Sequence, residues 1–482
     1  MIDIENIPSH ELYEKLKLGK KDEIDEKKDE KKEDNDINVI LLTNRNEAKE
    51  DNLFTTARYL TENCKKRNIP YYVLFIEDAY IKRDDNGQYT VHNKDDEKGF
   101  EVYSDKTIAI SRGSIMQKRS FLNLLSQLEK ANIFCVNSRY TIESCADKYR
   151  TTLRLADAGI PTPKTALLQS METIDHALEQ IGNKFPCVVK TISGSKGVGV
   201  FFIESMRSLK SILQVIWKIN EDEELLIQEY IESKYDIRVH VLGNEVIGSM
   251  KRFVIKNDFR SNYSQGGEVE KVELTEDQEK ICIEAAKSVS AIWAGADLIV
   301  DKNGNNYIIE INSSPGTEGI NKALGRDITN DILDFVSDKN NWIKVANEIG
   351  FKEIIEFDGE EIVAKFDTGN GSLCVIHSDG YEIDEKKQIV KWKNNGKEFK
   401  HKYKKIKEVH VGGLRDYTEK RPVVEIDIKF NGTVFKEVDF ALDDRSGRTP
   451  MLINRRFMRK ANVMVNPAKS FLVTKKPEEK KE

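Results

Sequence analysis

Three oxygen-bearing side chains near residue 300 are placed to do chemistry together. In the run "NNYIIEINSSPGTEGI", residues 305–320, Glu310 and Asn312 lie two apart in an otherwise apolar strand. Residues two apart on a strand share a face, and a carboxylate beside an amide is costly to bury unless the pair holds something. Asp297, in "ADLIV", lies on the partner strand across an Asn303-Gly304 turn. If it faces the same side, three hard oxygen ligands converge, with no His or Cys among them. That set suits magnesium, often shared with the phosphates of a substrate. "VVKTISGSKGVGV" offers a matching phosphate element. Lys190 ends a strand, and Gly194, Gly197 and Gly199 free the backbone of the next turn, where N–H groups can face phosphate oxygens. The glycines fit neither the P-loop nor the G-x-G-x-x-G pattern. Taken alone they describe an ordinary turn, and the three oxygens could lie on a solvated sheet face. The apolar character of "YIIEIN" favours the other reading, in which one or two magnesium ions hold ATP.

The elements that must position these residues are legible along the chain. Residues 1–36 include "GKKDEIDEKKDEKKEDND", a charged run with almost no apolar side chains, which reads as a disordered arm. Strands at "INVILLTNR", "YYVLFIEDA", "TIAISRGS" and "FCVNS" alternate with helical patterns around 56–68 and in "SFLNLLSQLEKANI", so residues 37–146 predict a small parallel α/β domain. "ESCADKYRTTLRLADAGIPTP" predicts one helix stopped by Gly159 and Pro161. "LLIQEYI", "DIRVHVLGNEVIGSMKRFVI" and "ADLIVDKNGNNYIIEIN" predict antiparallel hairpins, the last two separated by a helix at about 277–294. The second domain is expected over 147–345. From about 351 to 474 the composition changes to short strands and turns, predicting an all-β domain, followed by a disordered tail at 475–482.

The set "VVK…SGSKGVGV", "LIQEYIESKYDIRV", "KNDFRSNYSQGG", "GADLIV" and "IIEINSSPGTEGI" resembles the ATP-grasp superfamily, and within it the RimK-type α-L-glutamate ligases that extend the C-terminus of a ribosomal protein. The likeness runs from about 37 to 336. It implies an α/β (α+β) ATP-grasp fold behind an N-terminal Rossmann-like pre-ATP-grasp unit. It further implies that Lys148 and Lys190 contact nucleotide phosphates, and that Gln228, Glu229, Tyr230 and Ile231 form the hinge beside adenine. Asp236 would lie near the ribose, and Arg260, Ser261 and Asn262 near the phosphates and the acceptor, Arg260 with a catalytic part. Asp297, Glu310 and Asn312 would be the metal ligands, for magnesium or manganese and two ions in all. Arg238 and Arg252 would hold a substrate carboxylate or its phosphorylated form, a task that suits bidentate guanidinium groups. The implied activity is ATP-dependent ligation of an amino acid, glutamate by resemblance, to a protein or peptide through an acyl phosphate. The alternatives are a small-molecule or peptide ligase, and a peptidase with a nucleotide-sensing half.

The C-terminal stretch "IVAKFDTGNGS" places Asp367 in a D-T-G turn, the signature of aspartic proteases, where two such Asp share a proton and activate water. With "RTPMLINRRF" and "ANVMVNPAKSFLV" it resembles a RimB-like family described as ATP-dependent zinc proteases, with a retropepsin-like, aspartic-protease-like barrel. Asn370 stands where that family usually has Ala, and Asn454 stands where the matching segment of retroviral-type proteases usually has Gly. One D-T-G gives a dyad only in a homodimer. Cys374 and His377, with His401 and His410 as further candidates, are too few and too oddly spaced to support zinc. A folded binding or dimerisation module is the other reading of this domain.

Composition bounds the rest. The 482 residues exceed one core, and 33% charged residues leave a net charge of only −6, which gives no general attraction to nucleic acid. No apolar run approaches a membrane span, and the six scattered cysteines suit free thiols in a reducing cytoplasm.

Overall fold

The computed structural model describes residues 37–45, 55–84, 87–113, 118–192, 199–253, 268–342, 346–410 and 418–476, less the side chains of 409 and 410. The expected arm and the end of the expected tail lie outside these, as do Gly194, Gly197, Arg260, Ser261 and Asn262.

The first sheet is parallel throughout, in the order Tyr71–Phe75, Asn38–Thr43, Thr107–Ser111, Phe134–Val136. Its strands read as continuous apolar runs because both faces are covered. The helix Thr56–Lys66 begins where the Thr55 hydroxyl accepts from Arg58 N. A small antiparallel sheet of Tyr80–Arg83, Tyr89–His92 and Phe100–Val102 adds to this unit, a feature not foreseen from sequence.

The single helix expected over the "ESCADKYR" segment is two, Arg139–Ala146 and Lys148–Asp157. Asp147 breaks them: it adopts an extended backbone and its carboxylate accepts from Arg150 N at 2.8 Å, starting the second helix with Lys148 in its first turn. The helix expected to 294 is Glu276–Ser288, because Ser290 turns the chain into the left-handed region.

Two antiparallel sheets follow. One orders Val200–Ile203, Cys187–Thr191, Leu225–Glu229 and Thr165–Leu168, so "LLIQE" pairs between two strands rather than forming a hairpin. The other orders Val269–Lys271, Glu245–Phe253, Tyr235–Leu242, Trp293–Val300 and Asn306–Asn312, and contains both expected hairpins.

The last part of the chain is a barrel. Lys352–Phe357, Glu360–Phe366, Met451–Ile453, Cys374–His377, Thr433–Asp443 and Thr418–Phe430 follow one another, and the last returns to the first at Glu356 and Lys429. Closure removes the exposed edges. Three strands, Gly380–Asp384, Ile389–Asn394 and Lys397–His410, extend from it as an arm. Three strands here, of 14, 13 and 11 residues, are longer than the mostly short strands expected. A core of Phe366, Trp392, Phe430, Phe440 and Phe457 fills this unit.

One carboxylate fastens the chain's later turn to the barrel. Glu353 is fully buried. It accepts from Gly350 N at 2.7 Å, Leu472 N at 2.8 Å, and both the amide (3.1 Å) and hydroxyl (2.5 Å) of Thr474. Among the described residues no helix is long and apolar enough to cross a membrane.

Glu353→Ala strands these donors in an apolar site. It should cost about 3 kcal/mol, the order found for breaking a buried charged hydrogen-bond set, read as a lower urea midpoint for the full chain. An unchanged midpoint would show that the strap does not hold the barrel.

Candidate active site

The residues singled out from sequence lie on two facing surfaces. Asp297 sits opposite Glu310 in the strand register, and Gly295 opposite Asn312. Asp297, Glu310 and Asn312 therefore share a face, although the register shifts beyond Asp297. Gly295 could carry no larger side chain: a Cβ there would lie 2.7 Å from Pro315 Cβ and 3.2 Å from Arg238 Cδ.

Asp297 is not a lone carboxylate. Arg238 grips it bidentately from the adjacent strand, through Nε to Oδ1 and a terminal nitrogen to Oδ2 at 3.0 Å. Arg252 reaches the same Oδ2 at 3.0 Å. Arg252 in turn donates to both oxygens of Asp236, at 2.6 and 2.7 Å. The result is a buried alternation Asp236–Arg252–Asp297–Arg238 that neutralises itself. Burial alone would raise the Asp297 pKa, but Arg238 and Arg252 outweigh it and hold it down at about 2. Burial would likewise lower the Arg252 pKa, but Asp297 and Asp236 outweigh it and raise it. Asp236, expected near a ribose, is spent on Arg252.

Lys148 and Lys190 come from the other surface. Lys190 Nζ donates to Gln228 Oε1 at 2.7 Å, and Gln228 Nε2 to Thr165 at 2.8 Å. The Lys148 ammonium lies 3.4 Å from Ile192 O. Burial lowers both lysine pKa values, and Glu310 pulls each back upward. Beside the neutral tetrad, the two lysines face Glu310, with Asp147 also acting on Lys148. Of the expected hinge, Gln228 faces Lys190, Glu229 accepts from Lys164 N at 2.8 Å, and Tyr230 meets Phe202 edge-on at 5.0 Å. Ile231 is half-buried beside them.

The loop after Asn312 is positioned by residues the sequence reading passed over. Asn137 Nδ2 donates to the carbonyls of Trp293 and Ser313, at 2.6 and 2.8 Å. Arg112, buried over the Trp293 ring, donates to Pro315 O at 2.5 Å. Thr56 and Thr317 share a 3.0 Å hydroxyl contact. The available signal was the same as at "YIIEIN": a polar residue ending an apolar strand, in "FCVNS" and "TIAISRGS".

In the barrel, Asp367 follows the strand Glu360–Phe366, and its Oδ1 accepts from Gly369 N at 3.0 Å. His377 Nδ1 accepts from Arg445 N at 2.9 Å, which leaves Nε2 to donate to Asp379 at 3.0 Å. Both ring nitrogens are thus engaged. Cys374 is buried, with its thiol pKa pushed up to about 12 by desolvation.

Residues 145–336 match the RimK-like ATP-grasp domain, and residues 349–476 match the retropepsin-like aspartic endopeptidase RimB. A protein named "Probable alpha-L-glutamate ligase" from Vibrio atlanticus (strain LGP32) is 35% identical over 215 residues, 44% of this chain and 70% of that one. The chain belongs to the α-L-glutamate ligase family. A protein of the same name from Rhodopirellula baltica (strain DSM 10527 / NCIMB 13988 / SH1) is 32% identical over 252 residues, 50% of this chain and 61% of that one. Among solved structures, the ATP-grasp ligase PsnB complexed with minimal precursor is 19% identical with a TM-score of 0.49, covering 62% of this chain and 98% of that one. The D-alanine–D-alanine ligase from Bacillus anthracis is 19% identical with a TM-score of 0.45, covering 63% and 98%. By the family matches and these relatives, the protein is an ATP-grasp enzyme, an ADP-forming C–N ligase, joined to a retropepsin-like barrel.

Removing one member of the tetrad leaves a buried charge unpaired. Asp236→Ala should destabilise the protein by about 3–5 kcal/mol, measured by urea unfolding. A loss under about 1 kcal/mol would mean that water reaches Arg252 and the tetrad is not sealed.

Proposed function

We propose that the enzyme uses ATP and magnesium to add glutamate to the C-terminal carboxylate of a protein or peptide. The observation that supports this is that Asp297, Glu310 and Asn312 share one sheet face, with Glu310 acting on both Lys148, at the start of the helix Lys148–Asp157, and Lys190, on the strand Cys187–Thr191. The donor set fits a hard cation, since it offers carboxylate and amide oxygens on adjacent strands and no soft ligand. Asp297, Glu310 and Asn312 would hold one or two ions. Bound there, magnesium would neutralise phosphate charge and polarise the phosphoryl group.

The protein's own part is positioning and charge. Lys148 and Lys190 hold the phosphate chain. An oxygen of the acceptor carboxylate attacks the γ-phosphorus, and the bond to ADP breaks. By family likeness Arg238 and Arg252 would hold the resulting acyl phosphate, for which their pairing with Asp236 and Asp297 would have to loosen. The glutamate amine then attacks the acyl carbon, phosphate leaves with the C–O bond, and the amine loses a proton. No covalent nucleophile of the enzyme is used. Arg260, Ser261 and Asn262 lie outside the described residues; by family likeness they serve the phosphates and acceptor. A ribosomal protein is the acceptor by the same likeness. The fused barrel favours a protein acceptor over a metabolite, since two activities on one chain share a local substrate.

The barrel supports a second activity through its single Asp-Thr-Gly turn. An aspartate dyad would form between two copies, and a stable monomer in concentrated sedimentation runs would exclude that arrangement.

Purified protein with ATP and magnesium should release ADP when glutamate and total small-subunit ribosomal protein are added, and an acceptor should gain glutamate masses. Glu310→Ala with Asn312→Ala, which leaves the buried tetrad intact, should abolish both. ADP release without any mass gain on protein would overturn the protein-acceptor reading.

Because burial lowers the pKa of Lys148 and Lys190, a phosphate chain that pairs with them should raise those values again. ATP binding should therefore take up protons at alkaline pH, seen as a buffer-dependent heat in calorimetry. Binding heats equal in all buffers would remove the lysines from the phosphate site.

A further inference from the structure

On the N-terminal unit, between its small antiparallel sheet and the helix Arg119–Lys130, lies a cleft of about 230 Å³. It is lined by Ile81, Lys82, Arg83, Tyr89, Gln127 and Lys130. We propose that this cleft binds an acidic segment of the acceptor protein, upstream of the C-terminus that the ligase half would extend. The inference rests on the protein-acceptor reading for the identity of the partner.

Two elements bring three cations together here. Lys82 and Arg83 end the strand Tyr80–Arg83, and Lys130 ends the helix. All three are exposed, and none forms a hydrogen bond or ion pair among the described residues. The carboxylates next to them in sequence are turned elsewhere. Asp84 Oδ1 accepts from Gln88 N at 2.7 Å, and Glu129 Oε1 from Arg139 N at 2.7 Å. No carboxylate lines the cleft.

Arg83 is held in place. Its guanidinium lies over the Tyr89 ring, 5.3 Å from the centroid. It also packs against the barrel, at the turn joining Thr418–Phe430 to Thr433–Asp443. A Cβ on Gly432 would collide with an Arg83 terminal nitrogen. One on Gly87 would lie 3.3 Å from the same nitrogen and 3.3 Å from Gly432 O. A guanidinium fixed in this way loses little freedom on binding, and its planar fork suits a carboxylate. Gln127 adds an amide donor, and Ile81 and the Tyr89 ring offer apolar surface to methylene stems. Single-stranded nucleic acid fits less well, because it wants a free aromatic face. Here Arg83 covers Tyr89, and His92 stacks on Tyr80 at 4.9 Å.

The cleft and the reaction loop lie at opposite ends of the parallel sheet. Lys130 precedes the start of the strand Phe134–Val136, whereas Asn137, at its end, holds the loop at Ser313. The strand Asn38–Thr43 of that sheet has six residues, a length of about 20 Å. An extended chain covers that distance in about six residues. The acidic segment therefore falls at least about six residues before the acceptor's C-terminus.

The test titrates fluorescein-labelled hexaaspartate, hexaasparagine and hexauridylate with the full chain in the absence of ATP, so that nothing is extended. Anisotropy should show hexaaspartate binding more tightly than hexaasparagine, with affinity falling as salt rises. Lys82→Gln with Lys130→Gln should weaken hexaaspartate about fivefold. The thermal unfolding curve should not change, since both side chains stand in water. Arg83→Gln should weaken binding too, and if it loosens the junction with the barrel the lysine pair still decides. With small-subunit ribosomal protein as acceptor, the lysine variant should raise the acceptor KM about fivefold and leave kcat unchanged, as binding away from the reacting atoms requires. Full hexaaspartate binding by the lysine variant, or hexauridylate binding as tightly as hexaaspartate, overturns the proposal. Glutamate addition to protein with an unchanged acceptor KM would sink this inference alone. Lysine-dependent hexaaspartate binding with no mass gain on any protein would sink the protein-acceptor reading alone.

Discussion

Four charges share one buried patch of sheet, and the rest of the ligase half is arranged around them. Asp236, Arg252, Asp297 and Arg238 occupy two cross-strand positions on three adjacent strands. Each arginine needs its carboxylates to be buried at all, and each carboxylate needs an arginine to stay ionised there. The patch therefore demands a fixed register, since a slip by one residue would send all four to the opposite face. That demand is met by the two hairpin turns and by glycine at 295, where the Pro315 loop closes over the strand. His240, two residues beyond Arg238, is fully buried, and desolvation followed by its arginine neighbours pushes its pKa well below the usual range, so it adds no fifth charge.

This arrangement gives Asp297 two masters. Its carboxylate is shared between guanidinium groups and, in the proposed reading, a cation brought by ATP. A carboxylate held at a pKa of about 2 is ionised at any physiological pH. Protonation therefore plays no part in readying it, and the competition is between cations alone. The two lysines opposite differ in kind. Burial disfavours their charged form, and Glu310 on the sheet opposite partly restores it.

Much of this was readable because it obeys simple periodicities. Glu310 and Asn312 announced themselves by alternating with isoleucines, and the turns at 243–244 and 303–304 are ordinary hairpin signals. What escaped was set by contacts across distance. Nothing local in "ESCADKYR" says that Asp147 will cap a helix rather than continue one, since both uses suit the residue. Arg112 and Asn137 look like strand-end polar residues until the 313–317 loop is laid over them. The pairing of Asp236 with Arg252 could be drawn from the hairpin register, yet the resemblance had already assigned the aspartate elsewhere. In the barrel, strand length was underestimated because lysine-rich outer faces in "KEFKHKYKKIKEVH" mask a period-two pattern.

The anchoring of Glu353 has a consequence for the order in which the chain matures. Its carboxylate waits for amides and a hydroxyl that lie 119 to 121 positions further on. During synthesis the ligase half emerges first and can settle as a unit. The barrel's first strand must then carry an unsatisfied acid through the making of every other strand. The last step of its assembly is thus a latch: residues 472–474 arrive and close over a carboxylate exposed until then. A ribosome stalled anywhere before that point would hold a finished ligase beside a barrel that cannot yet shut.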